Sequence, residues 1–359
     1  MGFLEENAAL GEVHGADGSS RRQRFSPQGK AFPMSMRHRS SPKPKYRQRL
    51  PQLGRKLFLT DAGLETVLIF HEGVELPCFA SFPLLNSESG ARRLHDYYAG
   101  FAKLAAAQRV GLILEGATWR ANPDWGTKLG YDTAALAEIN RRSVALMLDI
   151  RREFETSDSP MPISGCIGPR GDGYDPGKLM TPQEAEDYHG VQVAVLAETA
   201  ADYVSAFTIT NTPEAIGILR AAKRSKIPAV ISFTLETDGK LPTGQGLEAA
   251  IAEVDAATER AASYFMINCA HPTHFQDVLK PGAGWIERLK GIRANASCRS
   301  HAELDAASDL DAGNPVELGR QYAALLGHYP HLTVLGGCCG TDFRHVEAIS
   351  QSCCGAKAA

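Results

Sequence analysis

Three cysteines stand at the ends of short apolar segments of this 359-residue chain. Cys269 ends one segment, and Cys338 and Cys339 end another, within the run Gly336-Gly337-Cys338-Cys339-Gly340. Three thiolates that meet at one point can bind Zn²⁺ and leave a fourth tetrahedral position open, which is the arrangement of a catalytic zinc site. These residues therefore indicate metal-assisted chemistry if the fold brings them together.

Two other interpretations of the cysteines stay open on the residues alone. An isolated cysteine at a strand end is usually a small buried hydrophobic residue, and two adjacent cysteines can form a strained disulfide. Neither accounts for Gly336, Gly337 and Gly340, which strip side chains from around the pair and let backbone and ligand approach closely. The glycines favour the zinc interpretation.

The elements that must position these cysteines are short apolar segments that alternate with segments of helical period. Nearly continuous apolar runs are typical of parallel strands covered on both faces. We predict eight strands: Leu57–Thr60, Gly111–Leu114, Pro162–Cys166, Tyr203–Ile209, Ala229–Phe233, Tyr264–Asn268, Leu289–Arg293 and Leu332–Leu335. Helices are predicted at Ser89–Ala107, Thr133–Phe154, Pro182–Ala200, Pro213–Ser225, Leu247–Arg260, Pro315–Leu326 and Phe343–Ser350, with a short turn after Pro272. Thr181 and Glu184 fit a capping box at the start of the third helix.

Eight such units in about 300 residues predict a single (β/α)₈ TIM barrel of class α/β. A doubly wound sheet is the alternative, but Asp61-Ala62-Gly63-Leu64-Glu65 after the first strand is not a dinucleotide-binding fingerprint. Active sites of such barrels lie at the C-terminal ends of the strands. Strands six and eight are separated by one strand, so their ends are expected within about 10 Å of each other.

Charge is distributed unevenly along the chain. Between Gly18 and Leu50 there are ten Lys or Arg and no Asp or Glu, so residues 51–359 hold 28 basic and 37 acidic side chains. We predict a disordered basic extension over residues 1–54, a barrel over 55–352 and a C-terminal tail over 353–359. The acidic barrel argues against nucleic-acid binding, and no apolar run is long enough for a membrane span or has the form of a signal peptide. A cytoplasmic protein is expected, and a homo-oligomer is left open.

The motifs together resemble the zinc-dependent homocysteine S-methyltransferase family over about residues 56–350. The resemblance rests on four segments: Asp61-Ala62-Gly63-Leu64-Glu65-Thr66, Gly165-Cys166-Ile167-Gly168-Pro169, Asn268-Cys269 and Gly336-Gly337-Cys338-Cys339-Gly340-Thr341. It implies that Cys269, Cys338 and Cys339 ligate Zn²⁺. It also implies that a small-molecule thiol, homocysteine, receives a methyl group from a sulfonium or ammonium donor and becomes methionine.

The resemblance also assigns roles at other strand ends. Asp61 is expected to bind the ammonium of an amino-acid substrate, with a helix-capping role as the alternative. Glu115 is expected to act on the site by charge or hydrogen bonding, unless it forms a salt bridge with Arg120. Asn295 matches a family asparagine that hydrogen-bonds substrate or orders the metal loop. We therefore take Asp61, Glu115 and Asn295 as candidate catalytic residues.

An onium donor is held well by aromatic faces, and Trp119, Trp125 and Tyr174 lie on loops that follow the second and third strands. Each could equally line a loop core. Glu65 and Arg120 stand where the family usually has uncharged residues, which indicates altered ligand chemistry. The candidate substrate-binding residues are therefore Asp61, Glu65, Trp119, Arg120 and Tyr174.

One residue departs from the family in a way that affects the acceptor. Phe207 stands where several members carry a glutamate that helps to hold the homocysteine ammonium, and a buried ammonium with one carboxylate fewer is poorly compensated. Either another carboxylate replaces it or the acceptor is a different thiol or selenol. A non-catalytic zinc-binding barrel is the third hypothesis. His271 and His274 follow Cys269 closely but are not expected to bind the metal.

Overall fold

The computed structural model describes residues 43–307 and 309–354. Most of the basic extension that the sequence predicts as disordered, and the last five residues of the predicted C-terminal tail, lie outside the described residues. Among the described helices, none combines the length and the hydropathy that crossing a membrane requires.

Within the described residues, nine short parallel strands form one sheet, ordered β2-β1-β9-β8-β7-β6-β5-β4-β3. They are β1 (Phe58–Leu59), β2 (Gly111–Leu112), β3 (Leu114–Glu115), β4 (Ile163–Ile167), β5 (Tyr203–Ile209), β6 (Ala229–Thr234), β7 (Ala262–Asn268), β8 (Leu289–Ala294) and β9 (Val334–Gly337). The two outermost strands of this order, β2 and β3, are separated only by Ile113. They are two halves of the predicted second strand, one pairing with β1 and the other with β4. The sheet therefore curls into the predicted TIM barrel.

Helices cover the outside of the sheet. The longer ones span Glu88–Ala107, Thr133–Phe154, Pro182–Ala197, Thr212–Arg224, Leu247–Thr258, Pro315–His328 and Phe343–Cys354, and shorter ones span Leu64–Thr66, Pro123–Lys128, Pro272–Phe275 and His301–Asp305. The predicted capping box is confirmed, because the Thr181 side chain accepts from the Glu184 N–H and the Glu184 carboxylate accepts from the Thr181 N–H. The predicted long helices agree with these bounds to within a few residues.

Residues 43–54 differ from the predicted extension because they pack against the N-terminal end of the barrel. Leu50 joins the apolar cluster inside the barrel, and the fully buried Gln52 donates to the Tyr264 hydroxyl over 3.4 Å. The Arg47 guanidinium donates to the carbonyl oxygens of Ala197, Thr199 and Ala201. The guanidinium that suggested a solvated segment is thus hydrogen-bonded to carbonyl groups at the end of the Pro182–Ala197 helix and in the turn before β5.

Candidate active site

The three predicted cysteines meet at the C-terminal mouth of the barrel. Cys269 follows β7 and Cys338 and Cys339 follow β9, and their Sγ atoms lie within 4.8 Å of one another. The Sγ atoms of Cys269 and Cys339 are 3.7 Å apart, and all three cysteines are free. A tetrahedral zinc with Zn–S bonds of about 2.3 Å separates its sulfur ligands by about 3.8 Å. The spacing of this pair therefore fits two corners of a zinc site.

Tight backbone geometry places the sulfur atoms. Cys269 has a φ of 52°, in the left-handed region that non-glycine residues rarely adopt, and its carbonyl oxygen lies 2.6 Å from His301 Nε2. On the other side, the Cys338 N–H donates to the carbonyl oxygen of Ala294 over 2.8 Å. A Cβ at Gly336 would lie 1.8 Å from a neighbouring hydroxyl oxygen. Gly336 is therefore required, because Thr60, directly after β1, packs closely against β9.

Polar side chains surround the sulfur cluster. The Asn268 amide lies 3.8 Å from Cys338 Sγ, and the Tyr174 hydroxyl lies 3.4 Å from Cys339 Sγ. Burial raises the pKa of Tyr174 well above its usual range, so its hydroxyl keeps the proton that it can donate. Hydrogen bonds from Cys269 and Cys339 lower the pKa of Cys338 well below its usual range, and the nearby guanidinium of Arg293 acts in the same direction. The pKa of Cys269 is raised, first by its hydrogen bond with Cys338, and that of Cys339 is raised, first by its hydrogen bond with Cys269. A negative charge on the cluster therefore rests on Cys338.

A cavity of about 210 Å³ adjoins the cluster. Of the predicted site residues, it brings together the three cysteines with Asp61, Glu65, Glu115, Trp119 and Tyr174. Apolar side chains complete the wall, among them Leu64, Phe70, Phe79, Phe207, Leu304 and Leu310. Arg120 and Asn295 do not line the cavity. Asn295 is buried beside the cysteines, where its N–H donates to the Ala270 carbonyl oxygen over 3.2 Å.

Asp61 lies at the end of the first strand as predicted, but its carboxylate already has partners. Arg293 Nη2 is 2.9 Å from Asp61 Oδ1, and the Tyr97 hydroxyl donates to Oδ2 over 3.2 Å. The guanidinium of Arg293 also lies over the Phe207 ring, 5.0 Å from its centroid. The Arg293 guanidinium is thus already paired with the Asp61 carboxylate, which the sequence assigned to the substrate ammonium.

Glu115 reaches into the cavity from the end of β3. Its Oε1 accepts from the Ser205 hydroxyl over 3.2 Å, while Oε2 is buried without a hydrogen-bond partner in the described part of the chain. Burial raises the pKa of Glu115 from 4.5 to about 7, against the opposing effect of Arg293. The alternative salt bridge with Arg120 does not form, because the ion-pair partner of that guanidinium is Asp172, at 3.9 Å.

Arg120 lies between two tryptophans. Its guanidinium carbon is 4.2 Å from the ring centroid of Trp119 and 3.8 Å from that of Trp125, and the side chain is 2% exposed. Burial lowers the pKa of Arg120 to about 10, so it stays charged at neutral pH. Nη1 donates to the carbonyl oxygen of Gly171 over 3.0 Å. The chain's own cation therefore packs against Trp119 and Trp125, two of the three aromatic side chains that the sequence suggested for an onium donor.

The remaining predicted residues are held by local hydrogen bonds. Glu65 accepts from the Ser81 hydroxyl over 2.7 Å, and burial raises its pKa. His274 contacts the carbonyl oxygen of Cys298 over 2.9 Å and His271 contacts a neighbouring threonine hydroxyl. Neither histidine belongs to the sulfur cluster.

Sequence reasoning missed Arg293, Ser205 and Tyr97 as residues of the site. Arg293 carried a usable signal, because a charged residue inside an otherwise apolar strand requires a buried partner. Ser205 and Tyr97 carried none, since a serine in a strand and a tyrosine in a helix are ordinary.

The fold and the site define a class of protein: a TIM-barrel enzyme with a cluster of three cysteines at the C-terminal mouth of its barrel. Residues 58–353 match the family model of homocysteine S-methyltransferase. The match covers most of the chain, so the chain belongs to the homocysteine S-methyltransferase family and is an S-methyltransferase.

Relatives in sequence and structure agree with this assignment. The chain is 24% identical to homocysteine S-methyltransferase 4 of Zea mays, covering 82% of this chain and 88% of the relative. It is also 24% identical to a selenocysteine Se-methyltransferase of Brassica oleracea var. italica, with the same coverage. The oxidized form of the homocysteine methyltransferase MmuM from Escherichia coli superposes with a TM-score of 0.66 at 19% identity, covering 86% of this chain and 99% of that one. Its metallated form gives a TM-score of 0.65 at 18% identity, covering 85% and 99%. The two structural matches to MmuM show that the fold is shared.

Proposed function

We propose that this enzyme transfers a methyl group from an onium donor to the thiol of homocysteine, with Zn²⁺ held by Cys269, Cys338 and Cys339. The observation that carries the proposal is the convergence of three Sγ atoms within 4.8 Å at the mouth of the barrel. Family membership supports the homocysteine acceptor, and the relatives from maize and Escherichia coli are named for it.

The residues fit zinc in donor type and in spacing. Three thiolates with one open position suit a catalytic zinc site, and soft sulfur ligands favour zinc over magnesium or calcium. Glycines 336, 337 and 340 keep side chains away from the cysteine pair, and Gly340 has a φ of 79° that a glycine adopts without strain. A bound zinc ion would lower the pKa of an incoming thiol and so supply a nucleophile at neutral pH.

The chain's own residues align and shield the reaction. The acceptor sulfur forms a bond to the methyl carbon while the bond from that carbon to the positively charged sulfur or nitrogen breaks, and the electron pair stays with the donor heteroatom. An in-line displacement of this kind depends mainly on alignment. Asn268 and Tyr174 fix two of the cysteine sulfurs by hydrogen bonding. The apolar wall of the cavity excludes water, which would otherwise solvate the thiolate.

The donor approaches through an acidic entrance. Asp305, Asp309 and Asp311 line the outer part of the cavity together with Trp119 and Tyr174. Carboxylates concentrate ligands of the opposite charge. Asp311 is paired with Arg299 at 3.5 Å, so we propose that the half-buried Asp305 is the entrance carboxylate that attracts a sulfonium or quaternary ammonium donor. We propose that the donor contacts Trp119 and Tyr174, while Arg120 supports Trp119 from its far side.

A methyl-transfer assay tests the proposal. Zinc-loaded protein is mixed with homocysteine and, separately, with S-methylmethionine, S-adenosylmethionine or betaine, and methionine is measured by mass spectrometry. We expect methionine with at least one donor and about one zinc per chain. Cys338→Ser is expected to lose both zinc and activity, while Cys298→Ser, which alters an exposed cysteine outside the cluster, keeps both. Full activity after exhaustive removal of zinc would contradict the proposal.

A different thiol or selenol is the second candidate acceptor. Phe207 provides no charge at a position where several family members carry a glutamate, and one relative is named as a selenocysteine Se-methyltransferase. Competition between homocysteine and selenocysteine for one limiting donor separates the two candidates. Preferential methylation of selenocysteine would favour this second acceptor.

We also propose that the enzyme works in the cytoplasm on small molecules, without nucleic acid. No disulfide joins the described cysteines, which suits a reducing compartment. Cell fractionation with an antibody against the native chain checks the location, and size-exclusion chromatography with light scattering determines whether it forms a homo-oligomer.

A further inference from the structure

Three carboxyl groups line the inner part of the cavity, and they differ in their partners. Asp61 is held by Arg293 and Tyr97, and Glu65 accepts from Ser81. Glu115 is buried as deeply as Asp61, and its Oε2 has neither a hydrogen bond nor an ion pair in the described part of the chain. Asp61 Oδ1 also accepts no hydrogen bond, but it pairs with Arg293 at 2.9 Å. A buried polar atom without a partner is costly to the folded protein, which points to a ligand as the missing partner.

We infer that Glu115, and not Asp61, binds the ammonium group of the acceptor amino acid. The inference rests on the proposed function, because it specifies which side chain of the same cavity recognises the acceptor.

Asp61 and Glu115 differ in the positive charge beside them. An ammonium placed at Asp61 would lie beside the guanidinium of Arg293, and two cations that close together repel strongly between buried groups. Asp61 also gains little from a second cation, because Arg293 already pairs with it at 2.9 Å. Arg293 acts on Glu115 only at longer range, and Glu115 forms no ion pair among the described residues, so an ammonium at Oε2 completes its hydrogen bonding.

The position of Glu115 suits an acceptor whose sulfur lies at the cysteine cluster. Ser205 and Phe207 lie on the same face of β5, because side chains two residues apart in a strand point the same way. The hydrogen bond from Ser205 therefore holds the Glu115 carboxyl beside the Phe207 side chain, which lines the cavity. The Glu115 carboxyl and the three cysteines line the same cavity. One end of an amino-acid thiol can therefore meet the sulfur cluster while its amino group meets Glu115.

The test compares two acceptors that differ only in the amino group. Binding of homocysteine and of 4-mercaptobutanoate to the zinc-loaded protein is measured by isothermal titration calorimetry, without any donor. We expect Glu115→Gln to weaken homocysteine binding by about thirtyfold or more, as for loss of one partner of a buried charge pair. Binding of 4-mercaptobutanoate should change less than threefold. Ser205→Ala, which keeps the charge and removes its hydrogen bond, should weaken only homocysteine binding and to a smaller extent.

Glu65→Gln is the matched control, since it makes the same substitution in another carboxyl group of the cavity. It should change the dissociation constants of both acceptors by the same factor. The inference is overturned if Glu115→Gln weakens both acceptors equally, if Glu65→Gln alone discriminates between them, or if the wild-type protein binds no homocysteine. Selective homocysteine binding without methyl transfer from any donor would instead overturn the proposed function and leave the inference standing.

Discussion

Replacing Glu115 by glutamine is expected to stabilise the protein at alkaline pH and not at acidic pH. Burial raises the pKa of Glu115 from 4.5 to about 7, so the folded state favours the neutral carboxyl. A pKa difference of one corresponds to about 1.36 kcal/mol, so ionising Glu115 in the folded state costs about 3 kcal/mol. We propose that this cost is tolerated because the charge serves ligand binding, and glutamine removes the charge while keeping the shape and an acceptor for Ser205.

The sign of the pH dependence follows from proton linkage. Below about pH 4.5, Glu115 is protonated in the folded and unfolded states, so its ionisation costs nothing. As the pH rises towards 7, the unfolded state releases the proton first, and stability is lost until the folded carboxyl also ionises. The stability of the Glu115→Gln variant lacks this dependence. Its advantage over wild type should therefore grow by about 2.5 kcal/mol between pH 5 and pH 8.5, since part of the penalty is already present at pH 5.

Urea unfolding at the two pH values measures this difference. Protein without acceptor is unfolded at pH 5 and pH 8.5, and the free energies of unfolding are compared between the variant and wild type, so that ionisation of the cysteines cancels. Glu65→Gln again serves as the control for an altered cavity carboxyl. An advantage of the same size at both pH values, or a loss of stability at pH 8.5, would refute a neutral buried carboxyl at Glu115.

Further substitutions test other parts of the site. Arg293→Gln should lower the free energy of unfolding by about 3–5 kcal/mol, because it leaves Asp61 buried without its cation. Adding Asp61→Asn should restore part of this loss. No recovery in urea unfolding would argue against the ion pair. Gly336→Ala should lower the zinc content, measured by metal analysis, below half an ion per chain, because the new Cβ meets a hydroxyl oxygen at 1.8 Å. Gly327→Ala is the control and should keep its zinc, because a Cβ there meets no atom within 4 Å. Arg120→Met should destabilise the protein by about 1–2 kcal/mol through loss of its contacts with two tryptophan rings, and an unchanged melting temperature and tryptophan emission would contradict that role.

The sequence predicted the barrel because its signal is repeated. Apolar runs of strand length recur between helical segments, and parallel strands that are buried on both faces leave this pattern wherever they occur. The break at Ile113, which divides the second predicted strand, left no such signal, since all its neighbours are apolar. The packing of residues 43–54 was also missed. Local composition in that segment indicates a solvated tail, while its burial depends on carbonyl groups that the rest of the fold supplies.

The positions of the cysteines could be predicted, and the state of the side chains around them could not. Cysteines at strand ends must meet at the mouth of a barrel, because topology alone decides this. Whether Asp61 is available to a ligand depends on the direction of a guanidinium that starts on β8, seven strands later in the chain. A similar dependence on distant residues placed Arg120 between Trp119 and Trp125. Sequence reasoning identified which residues were unusual but not which of them neutralise one another.

Two buried arginines determine how this cavity can treat positive charge. Arg293 pairs with Asp61, and Arg120 packs between Trp119 and Trp125, so an internal cation already contacts Asp61 and two of the three aromatic side chains that the sequence suggested for a substrate cation. In the proposed reaction, a cationic donor and an amino-acid acceptor would then rely on carboxylates that form no ion pair with these arginines. Among the described residues, Glu115 meets this condition deep in the cavity and Asp305 meets it at the entrance, although Arg293 still acts on the Glu115 carboxyl at longer range. Glu115 would therefore hold the ammonium of the acceptor and Asp305 the positive charge of the donor, which gives each substrate its own counter-charge.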